Sequence, residues 1–314
     1  MTTRVLAGLL VVAALLLPLL GGEGYVTHLA ITMLIFSVLA ASLNLLMGYT
    51  GLVSIAHAAF FGIGAYASGI LAARHGVPFW LALLAAAAVT GLVALGVGIP
   101  SFRTRGIYYI IVTVAFQLIA TEIFDNWHAM TGGGLGLKGI PRPGPLFESK
   151  VSYYYLTLAV VLVAHWVIVR LIRSPVGMTL MAIRDNETKA RMMGVNPLRH
   201  KIFVFVLAST LAGLAGSVYV HYVGYAHPDF FNFFVSVDLF LAVMLGGAGT
   251  VYGPIFGVLV LEVLREVLHE FAALRLLLFG LLLIVIIVFV PEGLLAPAGR
   301  ALRRLVPRPL TPVP

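Results

Sequence analysis

Stretches of mostly apolar residues recur along this chain at lengths near the roughly 20 residues that a helix needs to cross a bilayer. They lie at 5–20, 26–47, 56–73, 79–99, 107–124, 153–172, 202–222, 237–245, 254–269 and 274–290 of 314 residues. Only 10% of the residues are charged, where a soluble domain carries about 25%. One soluble core cannot hide this much apolar surface. The chain therefore reads as an all-α polytopic membrane protein of about ten transmembrane or broken helices, forming a single transmembrane domain over 1–314. The first run follows Arg4 and has only Gly22-Glu23-Gly24 as a weak cleavage site, so it reads as a retained helix rather than a signal peptide.

Basic residues set the orientation. Arg103, Arg105, the 173–201 loop and the basic tail at 297–314 share one side if the span count is even and both termini are cytoplasmic. The net charge of +8 sits at segment ends, which fits a lipid bilayer and not a nucleic acid. The 125–152 loop then lies outside the cell. Without cysteine there is no disulfide framework and no thiol nucleophile.

Two places break the apolar pattern with glycine and hydroxyl residues: Gly48–Ser54 and Gly246–Pro254. Non-helical backbone at membrane depth is tolerated only where protein buries it or where it lines a watery cavity. One break in each half of the chain points to a transporter built from two related halves; ordinary tight turns are the simpler alternative. Ser209, Gly213 and Ser217, and the stripe Ser37, Ala41, Asn44 and Gly48, have helix-packing spacing. Candidates for the translocation path are Asn44, Gly48, Gly51, Ser54, His57, Gln117, Gly246, Gly247 and Gly249. Glu262, Arg265 and Glu266 share one helix face, where Arg265 is expected to pair with either acid.

The segment from Arg173 to Lys201 is the long polar island of the chain. Ser174-Pro175 can open one short helix, Asp185 or Asn186 a second that stops at Gly194, and Asn196-Pro197 the long helix that follows. Met178, Met181, Met192 and Met193 lie among its charges, with Ala182, Ile183 and Ala190. Methionine suits a surface that docks into an irregular groove. A solvated loop that merely sets topology would not need them.

Several chemistries are excluded. No GxxxxGK[ST] occurs, so the chain should bind no ATP itself. Gly134-x-Gly136-x-x-Gly139 matches a dinucleotide pattern but lacks the strand before it and the helix after it. The histidines show no HExxH, and no GxSxG serine elbow occurs. The chain reads as no enzyme and as holding no metal.

The residues do resemble a family. Ile183–Gly216 (IRDNETKARMMGVNPLRHKIFVFVLASTLAGLAG), Asn44–Tyr66 and Met244–Gly257 resemble the permeases of high-affinity branched-chain amino-acid ABC transporters. Thr131–Pro143 resembles the M-type subunit. The resemblance implies a heterodimer with a second homologous permease in the prokaryotic plasma (inner) membrane. It also implies two ATPase subunits that use ATP and Mg, and an extracytoplasmic amino-acid-binding protein that delivers leucine, isoleucine or valine. The island is then similar to the EAA coupling loop of ABC importers. Thr188 and Lys189 replace its alanines, and Gly194 falls one residue late. Arg184, Asp185, Asn186, Glu187, Ala190 and Gly194 carry over as ATPase-coupling candidates. The alternatives are an ABC permease for another small solute (an amide, a urea-like solute or another amino acid), a secondary transporter, and a membrane subunit without transport.

Overall fold

The architecture comes from a computed structural model, which describes residues 24–104 and 106–269 together with isolated positions on either side. The expected spans at 5–20 and 274–290 and the tail at 297–314 lie outside the described residues.

Helices follow the apolar runs: α1 Tyr25–Thr50, α2 His57–His75, α3 Phe79–Ser101, α4 Ile107–Asn126 and α5 Lys150–Ile172. The island forms α6 Pro175–Asp185 and α7 Glu187–Met192, and then α8 Pro197–Val223, α9 Phe233–Gly246 and α10 Gly253–His269 follow. Among the described residues, α1, α3, α4, α5, α8 and the stretch Pro228–Gly246 are long and apolar enough to cross a membrane. The molecule is a polytopic helical membrane protein.

The core is built on α8, which packs against α1, α2 and α3. Small residues let these helices approach. Ser209, Gly213 and Ser217 are buried along one face of α8. A Cβ on Gly64 would overlap the Gly213 backbone, and one on Gly213 would overlap Thr90.

The first break begins later than expected. Helix α1 continues through Gly48, Tyr49 and Thr50 and stops at Gly51, whose φ of 73° is left-handed. Leu52 N–H then closes on Leu46 O at 2.8 Å, a helix-ending pattern that favours glycine at this position. Gly48 is a packing glycine and does not break the helix: a Cβ there would strike Asn44 and the Gly249 backbone. The second break falls at 247–252, close to expectation.

At the end opposite the island, the 125–152 loop meets the segment after α8. Strands β1 Leu137–Lys138 and β2 Tyr225–Ala226 pair antiparallel, with Leu137 opposite Ala226. His221 Nδ1 lies 2.6 Å from Pro141 O, and Ile140 N–H donates to Gly224 O. The GxGxxG stretch is part of this loop, as a one-turn 3₁₀ segment at Gly133–Leu135 running into β1.

Candidate functional site

The two breaks and the island converge on one junction. Helix ends leave their last carbonyls without intrahelical partners, and Gly48 O at the end of α1 is one of these. The Arg184 guanidinium, from the last turn of α6, donates to it. The stem of Arg184 crosses Gly51, where a Cβ would come within 2.9 Å of Arg184 Cγ. One turn back on α1, Asn44 clamps the second break. Its Oδ1 accepts from Gly249 N–H and its Nδ2 donates to Thr250 O, both at 2.8 Å. Gly247 and Gly249 have φ of 105° and 80°, which lets the loop turn beneath α1. Thr250 Oγ1 ties the loop to itself by donating to Gly247 O and accepting from Gly253 N–H. Five sequence candidates, Asn44, Gly48, Gly51, Gly249 and Arg184, are thus brought into contact.

A cavity of about 810 Å³ opens beside this junction. Thr50, Gly51, Tyr109, Arg184, Glu187 and Lys201 contribute to its wall.

Ser54, His57 and Gln117 all lie at or against the start of α2, each with its own partners: Ser54 Oγ accepts from Ala56 N–H at 3.5 Å. No local side chain caps this helix, so its first N–H groups are satisfied from other helices. Ala58 N–H donates to Ser236 Oγ at 2.9 Å, and Ala59 N–H to Gln117 Oε1 at 2.7 Å. Ser236 Oγ donates in turn to Gln117 Oε1, and Gln117 Nε2 donates to Phe231 O at 2.8 Å. Ile55 N–H reaches Thr113 Oγ1 at 3.2 Å, and His57 Nε2 lies 2.7 Å from Ser42 Oγ. Gln117 and His57 are buried in the bundle. Ser236, Thr113 and Ser42 were not singled out in the sequence; single serines and threonines in apolar runs give no signal of what they will touch.

The island has the caps its sequence proposes. Ser174 Oγ accepts from Gly177 N–H, Asn186 Oδ1 from Lys189 N–H and Asn196 Oδ1 from Arg199 N–H. Gly194 has a φ of 84° and follows the end of α7. Met178, Met192 and Met193 are exposed, while Leu180, Ile183 and Ala190 are buried. Ile183 and Ala190 therefore anchor the two helices rather than presenting them, because they fall on the inward face with Leu180. Glu187 lies 2.6 Å from Arg191 and 2.7 Å from Lys201, joining α7 to α8. Burial pushes the Glu187 carboxyl up; Lys201 and Arg191 outweigh it and hold the group below its ordinary range. Asp185 and Asn186 are exposed beside Arg184.

Elsewhere, Arg265 pairs with Asp238 of α9 as well as with Glu262 at 3.5 Å. Glu266 instead accepts from Tyr25 Oη at 2.8 Å.

Apolar spanning helices, two interrupted segments clamped together, and a polar helix pair that reaches the clamp define a membrane transport subunit. Comparison with known proteins agrees. The chain belongs to the family of permease components of branched-chain amino acid transport systems, whose family model matches residues 25–290. It is 30% identical to the high-affinity branched-chain amino acid transport system permease protein LivM of Escherichia coli, over 91% of this chain and 73% of that one. Identity to the probable LivM of Methanocaldococcus jannaschii is 24%, over 83% and 90%. Identity to the Escherichia coli LivH permease is 23%, over 83% and 91%. No solved structure gives a significant match.

Proposed function

We propose that this chain is the M-type permease subunit of an ABC importer for leucine, isoleucine and valine, paired in the inner membrane with a second, homologous permease. About ten spans in two related halves, with both termini cytoplasmic, place α6 and α7 in the cytoplasm and the 125–152 loop outside. An extracytoplasmic binding protein delivers the amino acid, and two ATPase subunits hydrolyse ATP with Mg. This chain supplies the path and the coupling helices. Asn44, Gly48, Gly51, Gly246, Gly247 and Gly249 belong to the path region at the clamp, and Ser54, His57 and Gln117 to the buried helix start behind it. Arg184, Asp185, Asn186, Glu187, Ala190 and Gly194 build the coupling element.

One observation carries the reading. Two capped helices expose Met178, Met192 and Met193 at the end of the bundle where α1 finishes. Unbranched, polarisable side chains on short rigid helices suit insertion into a partner's groove. The test is reconstitution of this chain with its companion permease, the ATPases and the binding protein, followed by uptake of labelled leucine. Met192→Asp with Met193→Asp is expected to abolish co-purification of the ATPases while the permease pair stays assembled. Undiminished ATPase capture would refute the docking role, and failure to import any branched-chain amino acid would refute the substrate.

A further inference from the structure

We infer that Arg184 is the pin through which the coupling helices hold the two interrupted segments shut, a positioning role that rests on the importer reading above. Three observations lead there. The guanidinium of Arg184 spans from α6 to the carbonyl of Gly48 on α1. Gly48 is the residue packed against Gly249, so that even a methyl group would separate the two breaks. Asn44, one turn earlier on the same face, is bonded to both Gly249 and Thr250. Arg184 Nη1 itself lies near Gly249, where an added Cβ would sit 3.2 Å from it. A side chain of α6 therefore bridges to the α1 terminus and ends beside the loop that α1 clamps.

The chemistry suits a releasable contact. A cation at a helix C-terminus is favoured by the helix dipole and by the free carbonyls there. The bond is charge-assisted, yet it is made to one carbonyl rather than to a buried carboxylate. Withdrawing Arg184 leaves no uncompensated buried anion, since Asp185 stands exposed 3.4 Å away to keep the guanidinium company. The wall of the adjacent cavity carries both Arg184 and the loop after α1. Movement of α6 by a docked ATPase would draw the pin out of the α1 terminus and widen that cavity. Partner binding can shift such an equilibrium only through its differential affinity for the two positions of α6.

The test uses the full reconstituted complex in liposomes. Arg184→Gln is expected to raise ATP hydrolysis in the absence of the binding protein about tenfold to a hundredfold, the range that loss of one charge-assisted bond allows. Uptake per ATP should fall by a similar factor, with the yield of assembled complex unchanged. Arg184→Lys, which retains a cation, should restore most of the coupling. This chain has no cysteine of its own, so Leu52→Cys on the cavity wall and Ala182→Cys, exposed on α6, take a spin-label pair when the partner subunits are made cysteine-free. Their separation should lengthen when the ATPases are trapped with ATP and vanadate. Wild-type stoichiometry in Arg184→Gln would overturn the inference, and so would an unchanged label separation. Should Arg184→Gln fail to assemble, the Arg184→Lys variant and the label separation decide. The label experiment needs no amino acid, so an error in the substrate reading shows separately, as absent leucine uptake by the wild-type complex.

Discussion

Replacing Gln117 with leucine is expected to destabilise the protein by about 1–3 kcal/mol. The two side chains are similar in volume, so the cavity term is small and the hydrogen bonds decide the outcome. Leucine strands Ala59 N–H at the first turn of α2 and takes a donor from Phe231 O. A buried group left unpaired costs about 1–3 kcal/mol. Side-chain hydrogen bonds between membrane helices average about 0.6 kcal/mol, so the three lost here, that from Ser236 Oγ included, come to about 2 kcal/mol, inside that range. The assay is unfolding in mixed micelles of dodecyl maltoside and dodecyl sulfate, followed by circular dichroism. Gln117→Glu, whose protonated carboxyl keeps both an acceptor and a donor, should fall between leucine and wild type. Thr121→Val removes a 3.3 Å contact to Gln117 Nε2 and the Thr121 Oγ1 bond to Gln117 O within α4, but leaves the Ala59 and Phe231 bonds in place, and serves as the control. Equal stability of Gln117→Leu and Thr121→Val would refute the capping argument.

Other perturbations separate packing from charge. Gly64→Ala should cost about 2–3 kcal/mol, because its Cβ meets the Gly213 backbone, which cannot rotate away. Gly96→Ala in α3, where a Cβ meets nothing, should gain about 0.5–1 kcal/mol from helix propensity; the same micelle unfolding reads both. Gly194→Ala forces a side chain into φ 84°, at a cost of about 1–2 kcal/mol, and should loosen α7 as seen by limited proteolysis. The Glu187 carboxyl titrates below its ordinary 4.5, so its contribution is complete above about pH 4.5 and is lost as pH falls through the lowered value. A spin label at Thr188→Cys should become mobile on that acid side only, and in Glu187→Gln it should be mobile at neutral pH too.

Local chemistry was readable directly from residue order. Ser174, Asn186 and Asn196 cap the helices they precede because a cap bond spans only three residues. The apolar runs among the described residues became helices for the same reason of scale. The 253–269 helix and the second break also fell close to their expected places. The first break moved from Gly48 to Gly51 because a glycine can serve either close packing or a left-handed φ, and the letter does not say which. Gln117 was visible as a buried polar residue, but its work as a cap depends on Ala59 and Phe231, 58 and 114 residues away. Arg265 had two acids on its own helix, yet it also found Asp238 on α9. Contacts of that range are properties of the packed bundle and leave no mark in a single segment.

The borrowed start of α2 bears on how the chain is made. Ala58 waits for Ser236, 178 residues later in synthesis. At about 5–20 residues per second, that interval is roughly 10–40 s. Thr113 and Gln117 are made within the first third of that interval, whereas the first turn of α2 keeps Ala58 N–H without its final partner to the end of it. It must then rest against the insertion machinery, lipid headgroups or water, and it can settle to its final depth only when α9 arrives. A later helix thus completes an earlier one, so a chain cut short before Ser236 would hold an α2 that has no finished beginning.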